Sequence, residues 1–210
     1  MKKKLTGIMV LVLFGLMLAP QAAQAAGEKP IQLALFNPVQ LVPEDEAIAG
    51  LRLTVLYGVN SDVTSLDLAL GVNRTTGTYK GLQLALVNWN EQDSSALQFG
   101  LLNYAGGDAT GLQYGTVNVV GNDLKGMQWG LVNWTEGSMH GMQYGLLNVS
   151  KGESIGFDLG VVNYNEGSFK GLMLGVINYT QSLNGLQIGL INYNGNKDPL
   201  ELMVLVNWSF

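Results

Sequence analysis

A repeat of fifteen residues runs through most of the chain and limits its fold more than any other feature. Its clearest copy, residues 126–134, reads Gly-Met-Gln-Trp-Gly-Leu-Val-Asn-Trp. The asparagine of this unit recurs every 15 residues from Asn73 to Asn178, with later copies at Asn192 and Asn207. Degenerate copies end at Asn37 and Asn60, which makes twelve units. So regular a repeat predicts one small structural unit stacked many times.

The unit predicts β-strands rather than helices. Gly126 and Gly130 would each cost a helix about 1 kcal/mol relative to alanine. Side chains alternate between the two faces of a strand. An uninterrupted strand would therefore place Met127, Trp129 and Asn133 on one face and the residues between them on the other.

Two all-β architectures fit a unit of this length. In a parallel β-solenoid each unit is one 15-residue coil, and identical residues stack into Asn and Gln ladders. In an antiparallel meander each unit is one strand and one turn. Asn133 stacked on Asn118 and Asn148 would identify the solenoid, whereas Asn133 beside the residues around Lys125 and Met142 would identify the meander.

Three features favour the meander. The turns at 75–78, 105–108, 135–138 and 165–168 share a glycine at their third position, and the intervening turns do not, as expected if hairpins count units in twos. Residues 169–179 read nearly the same in both directions, which suits an antiparallel strand. A hairpin there would pair Tyr164 with Phe169 and Leu159 with Leu174.

The third feature is length. Strands of about 11 residues can cross a bilayer with tilt, and single-chain outer-membrane barrels usually have an even number of strands. We therefore predict an antiparallel meander of about 12 short strands that closes into an outer-membrane β-barrel. The parallel β-solenoid with 15-residue coils is the alternative.

The two ends of the chain predict export. Lys2 to Lys4, the apolar run 5–19 and Ala23-Gln24-Ala25 have the order of a cleavable signal peptide, so residues 1–26 are predicted to be removed and residues 27–210 to form a single domain. At the other end, Leu202, Val204, Val206, Trp208 and Phe210 share one strand face. This strand resembles the C-terminal targeting signal of bacterial outer-membrane β-barrels.

The repeat itself also resembles a known family. Gly-Leu/Met-Gln-x-Gly-Leu-Val-Asn-Tyr/Trp is similar to the repeats of an uncharacterised family of bacterial surface repeat-containing proteins. The similarity covers nearly all of residues 27–210. It implies an exported protein at the outer membrane or cell surface of a Gram-negative-type bacterium. It implies no activity and supplies no catalytic residues.

Composition excludes several kinds of site. The chain has no cysteine and one histidine, His140, so the usual zinc and nucleophile–base constellations are missing. The lysines at 2–4 are three of the 11 basic residues, and residues 27–210 keep all 16 acids, for a net charge of −8. That charge disfavours nucleic-acid binding. We predict no enzyme activity, no catalytic residue, no metal site and no cofactor.

Aromatic residues that follow the repeat asparagine offer two roles. In a barrel they would form girdles that contact outer-membrane lipid, and the protein would be structural or a narrow passive pore. In a solenoid they would form a stacked ladder that binds a surface protein or a glycan. These residues are Trp89, Tyr104, Trp134, Tyr164, Tyr179, Tyr193 and Trp208.

Overall fold

A computed structural model describes residues 27–210; the predicted signal peptide, residues 1–26, lies outside the described part. All regular structure between residues 27 and 210 is β-strand. The strands are β1 (Lys29–Phe36), β2 (Val39–Gln40), β3 (Ile48–Asn60), β4 (Val63–Ala69), β5 (Val72–Thr75), β6 (Tyr79–Leu84), β7 (Val87–Asn90), β8 (Ser94–Phe99), β9 (Leu102–Ala105), β10 (Ala109–Tyr114), β11 (Val117–Val120), β12 (Leu124–Trp129), β13 (Val132–Thr135), β14 (Met139–Tyr144), β15 (Leu147–Ser150), β16 (Ser154–Leu159), β17 (Val162–Leu174), β18 (Ile177–Asn194) and β19 (Leu202–Ser209).

Most strands pair in parallel with the strands one repeat before and after them. β12 lies between β10 and β14, with Gln128 in register with Gln113 and Gln143. β13 lies between β11 and β15 in the same way, with Asn133 in register with Asn118 and Asn148. Each repeat is therefore one coil of a parallel β-solenoid of about eleven turns.

One coil has two arms. In the central coil, β12 forms a six-residue arm and β13 a four-residue arm. Gly130 and Leu131 form the corner between them, and residues 136–138 turn the chain into the next coil. The corner is a bend rather than a hairpin, so both arms continue in the same winding direction from coil to coil.

The predicted antiparallel meander and closed barrel are wrong, and the alternative, the parallel solenoid, is confirmed. Tyr164 pairs with Tyr179 rather than with Phe169. Leu159 and Leu174 are partners as predicted, but their strands run in parallel. The near-palindrome could not decide between the folds, because residues at the unit's centre meet in either direction of pairing.

The turns that share a glycine have a different cause from the one predicted. Asp62, Asp93 and Asp123 each accept a hydrogen bond at Oδ1 from a backbone N–H in the next coil, at 2.7 to 2.9 Å. A Cβ on the glycine beside each of these bonds, for example Gly137, would collide with that carboxylate oxygen. Alternate turns therefore carry aspartate and glycine because they interlock between adjacent coils.

The predicted division into faces holds for only part of the unit. Trp129 and Leu131 are exposed, as an outward face requires, but Asn133 is fully buried. The bend at Gly130 resets the alternation, so the two arms do not share one side-chain pattern. An uninterrupted strand was the assumption that failed.

Both ends of the solenoid depart from the parallel pattern. At the start, β2 pairs antiparallel with β1 and lies in the stretch 39–49 that the sequence predicts as a loop. At the end, β19 pairs antiparallel with β18. Lys197 crosses this last strand, where its Nζ donates to Asn207 Oδ1 at 2.9 Å and to the Trp208 carbonyl at 2.7 Å.

Candidate binding surface

Asparagine side chains form a continuous hydrogen-bonded ladder inside the coils. Asn118 Nδ2 donates to Asn133 Oδ1 at 2.9 Å, and Asn133 Nδ2 donates to Asn148 Oδ1 at 2.8 Å. The same Asn133 Nδ2 donates to the Tyr144 carbonyl at 2.9 Å, which fixes the bend of the next coil. The ladder runs from Asn88 to Asn192.

A glutamine ladder runs beside it in the other arm. Gln128 Nε2 donates to Gln113 Oε1 at 2.8 Å, and Gln143 Nε2 donates to Gln128 Oε1 at 2.7 Å. These bonds point toward the N-terminal end, whereas the asparagine bonds point toward the C-terminal end. The two rows of amide dipoles therefore partly cancel along the axis. Within residues 27–210 the first coils replace this ladder with the buried pair Arg52 and Asp67.

Asp158 interrupts the glutamine ladder and was missed by the sequence prediction. It stands in register between Gln143 and Met173 and is fully buried. Its two carboxyl oxygens and Gln143 Oε1 have no hydrogen-bond partner. Burial raises the pKa of Asp158 to about 8, and the nearby backbone N–H of Gln143 offsets only part of that rise. At neutral pH the carboxyl is therefore protonated. Its 15-residue spacing from Gln143 was the available signal.

The polar interior leaves large apolar side chains on the outside. We call residues 129–132 and their register partners in the other coils the apolar corner. Glycines equivalent to Gly130 form its floor, because a Cβ there would lie 2.7 Å from Asn118 Nδ2. Tyr114, Trp129 and Tyr144 stand on one side, and Leu131 and Leu146 on the other. Together they border an open groove of about 770 Å³.

The backbone at the apolar corner is hydrogen-bonded between coils. Leu131 N–H donates to the Thr116 carbonyl at 2.9 Å, and Leu146 N–H donates to the Leu131 carbonyl at the same distance. Gly130 N–H donates to the Tyr144 carbonyl at 3.0 Å. The corner therefore presents apolar side chains over backbone amides that already have partners.

The predicted aromatic ladder exists in two segments on the outer face of the four-residue arms. Trp89 stacks on Tyr104 with ring centroids 4.2 Å apart. Tyr179 stacks on Tyr164 at 4.7 Å and on Tyr193 at 4.9 Å. Valines at 119 and 149 separate the segments. A second column on the other arm, Phe99, Tyr114, Trp129 and Tyr144, was not predicted as a ladder; its rings are tilted by 39° to 57°.

Charged side chains lie away from the apolar corner, around the turns between coils. Glu136 and Lys151 form an exposed ion pair there, with Nζ and Oε2 2.7 Å apart. The hydrogen bond from Lys151 lowers the pKa of Glu136, and the one from Trp134 Nε1 adds to the effect. His140 is also exposed, in register with Lys125 and Ile155, and the structure brings no second catalytic group to it.

The described part of the chain contains no group of three or more His, Asp or Glu side chains arranged to hold a metal ion. It also contains no helix long and apolar enough to cross a membrane. The candidate surface is therefore the apolar corner with its flanking aromatic columns. No protein-family model, curated protein or solved structure matches the chain.

Proposed function

We propose that this protein is a non-enzymatic β-solenoid of the bacterial cell envelope that binds a partner through its exposed apolar and aromatic surface. The observation that carries the proposal is the apolar corner, where Trp129 is 44% and Leu131 51% exposed. Contiguous apolar patches larger than a few hundred Å² are rare on monomeric proteins and mark interaction sites. The signal-like N-terminus and the resemblance to bacterial surface repeat proteins support the location.

The aromatic ladder favours an apolar partner over a glycan. Tyr164, Tyr179 and Tyr193 lie nearly parallel at 4.7 to 4.9 Å, so neighbouring rings cover most of each other's faces. A sugar binds to an open aromatic face and needs polar side chains around it. The ladder instead exposes ring edges beside an aliphatic column that includes Val162 and Ile177. Ring edges and aliphatic side chains suit an apolar partner.

Retention in the cell envelope tests this function. Intact cells would be treated with a membrane-impermeant amine reagent, and modification of Lys125 and Lys170 would be read by mass spectrometry. We expect both lysines to react and a cytoplasmic control protein to stay unmodified. The wild type should also remain with washed envelopes, whereas replacing Tyr164, Tyr179 and Tyr193 by serine should release it. Unmodified lysines, or equal retention of the variant, would contradict the proposal.

A further inference from the structure

The apolar corner forms a straight, uncharged ridge along the solenoid. Residues 84–87, 129–132 and 188–191 are its first, central and last complete segments, and the eight segments contain no Asp, Glu, Lys, Arg or His. Adjacent strands lie about 4.8 Å apart, so the ridge is about 34 Å long. The acids and lysines of the same coils lie around the turns at the opposite edge. The cross-section is therefore amphipathic in every coil.

The exposed area of this ridge is too large for an ordinary free surface. Leu101, Leu131, Leu146 and Val161 are 44% to 59% exposed, and Tyr114, Trp129 and Tyr144 are 37% to 48% exposed. At roughly 200 Å² per large side chain, these seven leave about 700 Å² uncovered. The largest patch on a typical monomer is about 300–600 Å². The ridge continues beyond these coils on both sides, so it must be covered in its working state.

The occupant is identified by what the ridge lacks. Protein interfaces carry about one hydrogen bond per 100–200 Å², which fixes the partner's position. On the ridge, Thr116 is the only polar side chain apart from the tyrosine hydroxyls and tryptophan N–H groups, and every coil repeats the same shape. Nothing would set the register of a protein partner. A fluid apolar medium needs no register.

Two further observations fit such a medium. Backbone groups in an apolar medium must be satisfied internally, and the amides of Gly130, Leu131 and Leu146 all have carbonyl partners in neighbouring coils. Tyrosine and tryptophan are enriched where membrane meets water. Tyr114 and Trp129 on one side, and Trp134 and Tyr164 on the other, flank the aliphatic line of Leu131.

We propose that the apolar corner docks onto a lipid surface, with its aliphatic line in the acyl region, its aromatic columns at headgroup level and its charged turns in water. The inference rests on the proposed function, in which this surface binds an apolar partner, and it names that partner as lipid. The net charge of −8 for residues 27–210 favours uncharged or zwitterionic headgroups over anionic ones.

Vesicle flotation with the full chain tests the inference. The probe is phosphatidylcholine vesicles, some with brominated acyl chains to quench tryptophan. The ridge variant is Leu131→Gln, Leu146→Gln and Val161→Gln. The matched control replaces three exposed residues at the turn side, Lys125→Gln, Glu153→Gln and Glu166→Gln. Each variant keeps the same residues 1–26, so lipid affinity of that segment is common to all three proteins.

We expect the wild type and the control to float and to be quenched, and the ridge variant to bind on the order of 100-fold more weakly or worse. Far-ultraviolet circular dichroism must show that the variant keeps its β-structure; if it does not, Leu131→Gln alone is used. Equal flotation of wild type and ridge variant would overturn the inference, as would no flotation of the wild type. A wild-type dimer that the ridge substitutions dissociate would assign the ridge to a second copy of the chain. Tyrosine-dependent envelope retention without vesicle binding would leave the proposed function standing and remove only lipid.

Discussion

Asn133 shows how one residue type can hold the coil together at three points. Its amide bonds to Asn118 and Asn148, and it also satisfies the Tyr144 carbonyl at the next corner. A buried amide that loses its partner costs about 1–3 kcal/mol. The ladder is therefore stabilising only as long as it is continuous, which makes its interior members much more important than its ends.

Replacing Asn133 by alanine should lower the free energy of unfolding by about 3 kcal/mol or more, because it leaves two neighbouring amides and one carbonyl without partners. Asn73 offers the matched control. It is equally buried, but neither of its side-chain polar atoms has a hydrogen-bond partner. Asn73→Ala should therefore cost under about 1 kcal/mol. Chemical denaturation of both variants measures the difference; equal losses would contradict the ladder account.

Asp158 predicts an unusual dependence of stability on pH. Its pKa is about 8 in the folded protein, against a model value of 3.8. Between these values the folded state binds one more proton than the unfolded state. This contribution to stability is therefore complete below about pH 4, falls as pH rises by at most about 1.4 kcal/mol per unit, and is lost above about pH 8.

The variant Asp158→Asn should remove this slope and be more stable than the wild type at pH 8. Denaturation midpoints at pH 5, 6, 7 and 8 provide the measurement. The control is Glu153→Gln, an exposed turn residue, which should keep the wild-type slope. A wild-type stability that does not fall across this range would show that Asp158 is not protonated in the folded state.

At the level of strands and turns, the sequence predicted the composition of each coil but not its winding. β-structure, the repeat length and Asn stacking in the solenoid alternative all followed from the spacing of the asparagines. The direction of pairing did not, because the sequence around Leu174 is nearly symmetric. The bend at Gly130 was missed because a glycine within a strand pattern does not distinguish a bulge from a corner.

The candidate surface was predictable only in part. The spacing of Trp89, Tyr104, Tyr164, Tyr179 and Tyr193 indicated a ladder, and the structure stacks these rings. The apolar corner was not predicted, because its outward direction depends on the bend between the arms. Until that bend is known, Leu131 and Asn133 belong to the same face of one strand.

Turns and strands should differ in their tolerance of a lost residue. The coil that ends at Asn192 has 14 residues, and its register shift is absorbed between Asn165 and Ser168, in the turn. Deleting Glu136, also in a turn, should therefore cost about 1 kcal/mol or less beyond its exposed ion pair. Deleting Met127 should unfold several coils, because it moves Gln128 toward the opposite face. Circular dichroism melts compare the two; similar melting temperatures would contradict the interlocked register.

For the whole molecule, stability should be close to a sum over coils and the interfaces between them. Deleting residues 124–138 removes one complete coil and puts Met139 in the place of Leu124. We expect the shortened protein to stay folded, with a cooperative melt and a modestly lower melting temperature. Deleting only residues 124–130 breaks the register of every later coil and should prevent folding. Size-exclusion chromatography and thermal melts distinguish these results; loss of folding on removal of the complete coil would rule out an additive solenoid.

Parallel stacking of the coils is the central structural claim, and one distance tests it most directly. Lys80 and Ile155 belong to one exposed column that continues through Ser95, Thr110, Lys125 and His140. The native chain has no cysteine. Spin labels can therefore be placed at Lys80→Cys and Ile155→Cys and their separation measured by double electron–electron resonance.

Five parallel coils predict a backbone separation of about 24 Å for this pair, whereas five antiparallel strands would displace the labels along the strand and give about 35 Å. The control pair Lys80→Cys and Lys170→Cys lies six units apart and should give about 29 Å in a sheet of either kind. A distribution centred near 24 Å for the first pair supports the solenoid, and one centred near 35 Å contradicts it.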